Sequence, residues 1–173
     1  QLGVMPDCMR LLDRLSGPDF LVHVGMLRGL DRETARQRAH QLLDTLDLTD
    51  AGKKLISDYS AGMTKKISLA AALIHAPSLL VLDEPFEAVD PVSAANIRQI
   101  LQYFTSRGGT VILSSHVMAT VQQLCTHVAV INHGQVLASG TTEEVAAGMS
   151  LDERFAQLVG GVHTSEGLSW LAN

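Results

Sequence analysis

The sequence is poor in features that mark nucleic-acid-binding, disulfide-stabilised and membrane-spanning proteins. Its 173 residues carry 13 Lys and Arg against 18 Asp and Glu, a formal net charge of −5, whereas phosphate backbones attract basic surfaces. The two cysteines, Cys8 and Cys125, have no metal-type or redox-type spacing, so we expect buried thiols in a reducing compartment. The richest apolar stretch, residues 69–82, is too short for a bilayer, which takes about 20 apolar residues. We therefore expect no nucleic-acid partner and no spanning segment in these residues.

A phosphate-binding loop is also missing from the sequence. The pattern Gly-x-x-x-x-Gly-Lys-Ser/Thr occurs nowhere in it. The Gly52-Lys53 pair comes nearest, but Asp47 stands where the first glycine belongs and Lys54 where the hydroxyl belongs. The chain starts with Gln1 rather than Met and shows no basic-then-apolar leader. These residues therefore cannot by themselves surround a nucleotide's phosphates with loop amides.

The sequence from residue 79 onward alternates strands and helices. Residues 79–82 form a continuous apolar run, which is typical of a parallel strand buried on both faces. Asp90 is a predicted N-cap, with Pro91 at the first position of a helix that reaches residue 106. The later predicted elements are a strand over 110–114, a helix near 117–126, a hairpin with strands 128–132 and 135–138, and a helix over 151–159. This alternation predicts an α/β fold in which helices cover a mostly parallel sheet.

The sequence before residue 76 has a helical pattern instead. Helices are predicted over residues 19–30, 32–46 and 64–75, and Asp31 is the predicted cap of the second. A helical segment ahead of an α/β core predicts a separate helical subdomain.

Two adjacent carboxylates follow the first predicted strand. Ligands of open α/β sheets bind beyond the carboxyl ends of the strands, where Asp83 and Glu84 stand. Adjacent carboxylates repel each other at such an edge unless a cation or a reacting water uses them. We expect Asp83 to hold Mg²⁺ through water and Glu84 to polarise an attacking water as general base. The alternative is a strand that ends in a solvated acidic turn.

A histidine follows the next strand at a matching position. His116 lies two residues beyond the strand at 111–114, so a crossover helix would bring it to the same sheet edge as Asp83 and Glu84. A polar side chain there can hydrogen-bond a terminal phosphate. The remaining histidines are expected to be ordinary surface or core residues.

Small residues precede the third predicted helix. Ser60, Ala61 and Gly62 leave backbone N–H groups exposed at the positive end of the helix dipole, which is an anion site that Lys65 and Lys66 would reinforce. The alternative is an ordinary serine-capped helix start.

Together these motifs resemble the nucleotide-binding domains of ABC transporters. The signature motif has Ala61 and Met63 where Gly and Gln are usual, a form similar to that of drug, antibiotic and polysaccharide exporters. Glu84 matches the catalytic glutamate and His116 the switch histidine. The matching segments are the signature motif at 59–63, the Walker B strand at 79–85, the D-loop at 87–90 and the hairpin after the switch at 132–140.

The resemblance implies a P-loop NTPase-like core with a helical signature subdomain, whose N-terminal part, including the phosphate loop, is expected upstream of Gln1. The ATPase domain fragment would cover residues 1–148, with the helical subdomain at about 8–75 and the Walker B, D-loop and switch core at 76–148. Residues 149–173 would be a C-terminal extension. The implied ligands are ATP and Mg²⁺.

The resemblance also implies roles for individual residues. Asp7 occupies the Q-loop region, where Gln or Glu is usual; Asp can accept from a metal-bound water but has a shorter reach. The implied sets are Glu84 and His116 for catalysis, Asp83 and Asp7 for the metal, and Ser60, Ala61, Gly62 and Asp90 for the nucleotide.

The implied partners are a second ATP-binding domain and a separate transmembrane permease. In the family, Ser60 and Gly62 of one chain would contact the γ-phosphate bound by the other chain. The expected function is ATP hydrolysis that powers export, at the cytoplasmic face of the cell membrane, and we expect the 173-residue chain alone to be inactive. The alternatives are a non-transport ABC ATPase of DNA repair or translation, and a truncated dimerisation or regulatory module without catalysis.

Overall fold

A computed structural model describes residues 1–7 and 11–160 of the chain. The chain divides into two compact units, Gln1–His116 and Val117–Asn173. Cys8 and residues 161–173 of the expected C-terminal extension lie outside the described residues. The functional divisions that the sequence suggests at residues 75 and 148 stay predictions.

The first unit contains a parallel sheet. Its strands are β1 (Leu2–Met5), β2 (Leu79–Asp83) and β3 (Thr110–Ser114), and they lie in the order β1-β2-β3 with both pairs parallel. The predicted α/β fold with a parallel sheet is thereby confirmed. Strand β1 was not predicted, because a four-residue segment with a central glycine carries almost no strand signal.

One face of this sheet carries the core. Met5, Leu80 and Leu82 are at most 1% exposed and share a cluster with Ile67 and Ile97 from two helices. On the other face Leu79 and Val81 are only half-buried, and the exposed apolar residues there include Leu2, Val4 and Ile112. The prediction that residues 79–82 are buried on both faces is therefore wrong for alternate residues, because helices of the first unit pack on the face of Leu80 and Leu82.

Three helices of the first unit begin at side-chain caps. They are α1 (Gly17–Leu27), α2 (Arg32–Thr45) and α3 (Ala61–Leu73). Ser16, Asp31 and Ser60 each accept a backbone N–H of the first turn, which is what a helix N-terminus requires. Helix α3 starts earlier than the predicted residue 64, because Ser60 is itself the cap. Two short 3₁₀ turns lie between α2 and α3, at Thr49–Ala51 and Ile56–Asp58.

Helix α4 (Pro91–Ser106) runs between β2 and β3, with Asp90 as its cap, as predicted. It supplies Ile97 and Leu101 to the core. Helix α4 is therefore the crossover connection between the parallel strands β2 and β3.

The described part of the second unit, up to residue 160, holds a hairpin and three helices. In chain order they are α5 (Met118–Leu124), β4 (His127–Asn132), β5 (Gln135–Thr141), α6 (Thr142–Ala146) and α7 (Leu151–Val159). The predicted antiparallel hairpin and final helix are confirmed. The hairpin turn has positive φ at both central residues, His133 (47°) and Gly134 (75°), as expected for the tight turns that join twisted strands. Among the helices described, none is both long enough and apolar enough to cross a bilayer.

Candidate functional site

The carboxyl ends of β2 and β3 lie side by side. Asp83 pairs with Ser114 in the parallel register, so the residues that follow the two strands emerge at one edge of the sheet. His116 Nδ1 lies 3.0 Å from Glu84 Oε1. The sequence placed Asp83, Glu84 and His116 at a common edge, and the geometry brings the last two into direct contact.

The two partners differ in exposure. The side chain of Glu84 is 23% exposed, whereas that of His116 is 68% exposed, so most of the imidazole surface remains accessible to a ligand. The hydrogen bond to Glu84 raises the pKa of His116 above its ordinary 6.5, and the charges of Glu84 and Glu87 act in the same direction. The pair therefore presents a carboxylate and a readily protonated donor at one point.

Ser114 joins the two strand ends. Its hydroxyl donates to Asp83 Oδ1 and accepts from the Glu84 N–H at 3.1 Å. Sequence reasoning assigned Ser114 no role, although its place opposite Asp83 follows once the strand register is known. The serine fixes both carboxylate-bearing residues through one oxygen atom.

Glu84 has an unusual backbone conformation. Its φ is 46°, in the left-handed region, and Ala88 in the same turn has φ of 57°. Residues with a β-carbon adopt this region rarely, and such positions concentrate where surrounding contacts hold a functional group in place. The turn between β2 and α4 is thus shaped by its contacts rather than by glycine.

Lys65 does not point to an anion site. Its Nζ lies 2.7 Å from Asp7 Oδ1 and 3.1 Å from the Glu84 carbonyl oxygen. The expectation that Lys65 reinforces an anion site at the start of α3 is therefore wrong in this structure, because its ammonium is already surrounded by oxygen acceptors. The same contact places Asp7 beside Lys65.

The acidic residues fit part of a magnesium site. No group of three or more His, Cys, Asp or Glu side chains is assembled for a metal anywhere within residues 1–7 and 11–160. Magnesium nevertheless needs only one or two carboxylates when water and substrate phosphates complete its shell. Asp83, exposed at the strand end, suits that role, whereas Asp7 forms an ion pair with Lys65.

The start of α3 contains the predicted nucleotide contacts. Ser60 Oγ accepts from the Met63 N–H at 3.3 Å. In this structure Ser60 therefore caps the helix, which is the alternative that the sequence left open. Ala61 and Gly62 lie in the first helical turn rather than in a loop before it. A β-carbon added at Gly62 would lie 3.2 Å from the Ala88 carbonyl oxygen, so this helix start packs beside the turn that carries Glu84.

Asp90 serves as a cap. Its Oδ1 accepts from the N–H groups of Val92 and Ser93, each at 3.0 Å, and hydrogen bonding from Ser93 and then Val92 lowers its pKa. In the part of the chain that the structure describes, no hydrogen bond or ion pair joins Ser60, Ala61 or Asp90 to Glu84 or His116.

Solved structures share this fold. One described as the ATP-binding subunit of an ABC transporter aligns with a TM-score of 0.84 at 26% identity, covering 91% of this chain and 68% of that chain. An ATP-binding cassette in a dimeric post-hydrolysis state bound to ADP and Pi aligns with a TM-score of 0.75. It covers 82% of this chain and 62% of that chain, and at 19% identity it shows the fold alone. The fold is that of an ABC-type ATPase domain.

Sequence comparisons give the family. The family model described as "AAA domain, putative AbiEii toxin, Type IV TA system" matches residues 11–121. The linearmycin resistance ATP-binding protein LnrL of Bacillus subtilis is 32% identical over 94% of this chain and 52% of its own length. The daunorubicin/doxorubicin resistance ATP-binding protein DrrA of Streptomyces peucetius is 38% identical over 78% of this chain and 41% of its own length. The chain belongs to this AAA-domain family. The relatives that it matches along most of its own length are ATP-binding proteins of drug-resistance systems.

The match is partial in length. The chain spans about half the length of the curated relatives it matches, between 41% and 52% for the two above.

Proposed function

We propose that these residues form the hydrolytic edge of the ATP-binding subunit of an ABC exporter. The observation that carries the proposal is the 3.0 Å contact between His116 Nδ1 and Glu84 Oε1 at the carboxyl ends of adjacent parallel strands. The resistance proteins LnrL and DrrA, with which the chain shares about a third of its residues, favour transport over the other ABC functions.

Each residue at the edge has a proposed task. Glu84 accepts a proton from the attacking water as general base, and His116 holds that carboxylate while donating to the terminal phosphate. Asp83 would hold Mg²⁺ through water, and the ion, when bound, neutralises charge that develops on the phosphates. Ser114 keeps Asp83 and the Glu84 main chain in register with each other.

A second ATP-binding domain is part of the proposal. Ser60 and Ala61 are exposed and Gly62 is half-buried at the start of α3, so their N–H groups are available to a phosphate held by another chain. Asp90 would contribute from the neighbouring turn. Because the 173 residues contain no phosphate loop, we predict weak ATP binding and negligible turnover for this chain alone.

A membrane permease is the proposed coupling partner. The subunit would sit at the cytoplasmic face of the membrane and move the permease as ATP closes, and hydrolysis reopens, the pair of ATP-binding domains. When the full-length protein is purified from the organism that makes it, a membrane protein should co-purify with it. Recovery of nucleic acid or ribosomes instead would favour a repair or translation ATPase.

Hydrolysis is tested by replacing Glu84 in the full-length protein. Glu84→Gln should lower the steady-state ATPase rate by about 10²- to 10⁴-fold, the range for loss of a positioned base, with ATP affinity retained. Glu33→Gln, an exposed change in the first turn of α2, is the matched control. Near-normal turnover of Glu84→Gln would refute the assigned role.

A further inference from the structure

Three segments that are distant in sequence meet at the ammonium group of Lys65. Nζ lies 2.7 Å from Asp7 Oδ1, in the segment after β1, and 3.1 Å from the Glu84 carbonyl oxygen. Glu87 Oε2, in the turn between β2 and α4, lies 3.9 Å away. Only 12% of the Lys65 side chain is exposed, so protein oxygens surround this charge more than water does.

The contact with the Glu84 carbonyl has a conformational consequence. Glu84 has φ of 46°, and a residue with a β-carbon stays in this region only when its surroundings hold it there. Its N–H donates to Ser114 Oγ at 3.1 Å, and its carbonyl accepts from Lys65 Nζ at 3.1 Å and from the Glu87 N–H at 3.2 Å. Lys65 is the charged member of this set, and charge-assisted hydrogen bonds are the stronger ones.

The turn is also rich in negative charge. Asp83, Glu84 and Glu87 lie close together in sequence, and Asp7 reaches the same ammonium. Carboxylates gathered at a partly desolvated edge repel one another. The Lys65 ammonium lies between Asp7 and the turn and offsets that repulsion. Lys65 belongs to α3 and not to either of the two strand ends.

We propose that Lys65 is a positioning residue for hydrolysis, which rests on the function proposed above. Its ammonium ties the start of α3 and the segment at Asp7 to the main chain of Glu84, and so keeps the Glu84 carboxylate aimed at His116. Lys65 itself touches neither the water nor the phosphates in this role. Loss of the Lys65 contact would therefore shift the Glu84 carboxylate, the proposed general base, without removing it from the site.

The test compares variants of Lys65 in the full-length protein. Lys65→Met removes the charge while keeping an unbranched chain, and Lys65→Arg keeps a permanent cation on a long side chain. Lys54→Met is the matched control, because Lys54 is exposed and far from the turn in sequence. The readouts are kcat, KM for ATP, and amide hydrogen exchange.

We expect Lys65→Met to lower kcat by about 10- to 100-fold, the scale of a small misplacement of a catalytic group, with KM for ATP changed less than about twofold. Lys65→Arg should recover most of the lost kcat, and Lys54→Met should match the wild type. A higher KM with unchanged kcat would overturn the proposal, since it would mean that Lys65 binds nucleotide. Unchanged kcat and KM in Lys65→Met would overturn it equally.

Hydrogen exchange provides a readout independent of ATP turnover. In Lys65→Met the amides of Glu84 and Glu87 should exchange at least about tenfold faster, because the hydrogen bonds they make depend on the held turn. The Thr110 amide, which donates to the Ser78 carbonyl at the opposite end of the sheet, should be unchanged. Unaltered exchange at Glu84 and Glu87 would overturn the proposal even if kcat fell.

The two readouts separate this inference from the proposed function. A wild-type protein without ATPase activity would contradict the function, while the exchange rates would still test the contact. An active wild type whose Lys65→Met variant is equally active would contradict the positioning role alone. If Lys65→Met does not fold, Lys65→Gln, which retains an N–H donor without the charge, serves as the second variant with the same expected directions.

Discussion

The carbonyl oxygen of Ala88 sits so close to Gly62 that a β-carbon there would be 3.2 Å from it. The start of α3 and the turn after β2 therefore pack together within one chain. Ala88 itself has a φ of 57°, in the left-handed region that residues with a β-carbon rarely adopt. Gly62 thus has a packing reason to be glycine, beside the nucleotide contact proposed for it.

Replacement of Gly62 by alanine should lower ATP turnover much more than it changes the free energy of unfolding. Alanine improves helix propensity by up to about 1 kcal/mol, and the crowded Ala88 carbonyl opposes that gain, so we expect the free energy of unfolding to change by less than about 1 kcal/mol. ATP turnover should fall at least about tenfold, because the turn carrying Glu84 must shift. Thr64→Ala, in the same helix, is the control. Full activity of Gly62→Ala would mean that the turn tolerates the contact.

The pH dependence of stability should reveal the cap at Asp90. Hydrogen bonds from Ser93 and then Val92 lower the pKa of Asp90 below 3.8, so the carboxylate stabilises the fold above pH 3.8 and this contribution is lost as the pH falls through the lowered value. Asp90→Ala should be less stable than the wild type at neutral pH, and the difference should shrink in acid.

Urea unfolding at a series of pH values measures this effect. Asp90→Asn, which keeps a capping side chain without the titratable group, should stay near the wild type at neutral pH. A difference between wild type and Asp90→Ala that is constant down to strongly acidic pH would contradict the assignment.

His116 should titrate above its ordinary value. The hydrogen bond and charge of Glu84 raise the pKa of the imidazole above 6.5. The resulting stabilisation is fully present below the unfolded-state pKa and is lost as the pH rises through the folded-state pKa. We therefore expect an NMR titration of His116 to show a raised pKa that falls in Glu84→Gln and is unaffected by Glu33→Gln. An identical titration in both variants would contradict a direct contact.

The two faces of the sheet should respond differently to truncation. Leu80 is 0% exposed, whereas Ile112 is 56% exposed. Leu80→Ala should lower the free energy of unfolding by about 2–5 kcal/mol, the range for buried leucines, and Ile112→Ala by less than about 1 kcal/mol. Denaturant unfolding of both variants gives the comparison, and similar losses would mean that the face of Ile112 is also buried.

Local signals in the sequence determined much of the fold. The apolar runs at β2 and β3, the Asp90-Pro91 start of α4 and the His133-Gly134 turn identify their elements because each depends on neighbouring residues alone. Strand β1 could not be predicted from the sequence, because it is short and is held as a strand by its pairing with β2. The short helix α6 depends on a capping box of Thr141 with Glu144, a signal that was present in the sequence.

The site could be predicted in part for a similar reason. Carboxyl ends of parallel strands share an edge, so Asp83, Glu84 and His116 could be brought together before the structure was known. The bridge made by Ser114 depends on the exact strand register. The direction of Lys65 could not be inferred, because a flexible four-carbon side chain at a helix start can reach either an external anion or its own chain. Contacts between distant segments decided that choice.

The most direct test of the account is a double-mutant cycle on ATP hydrolysis by the full-length protein. Glu84→Gln should lower kcat by about 10²- to 10⁴-fold and His116→Ala by at least about tenfold. If the two side chains act as one unit on the reacting water and phosphate, the double variant should be no more than about threefold slower than the slower single variant. Losses that multiply independently would contradict the claim that Glu84 and His116 work together at this edge of the sheet.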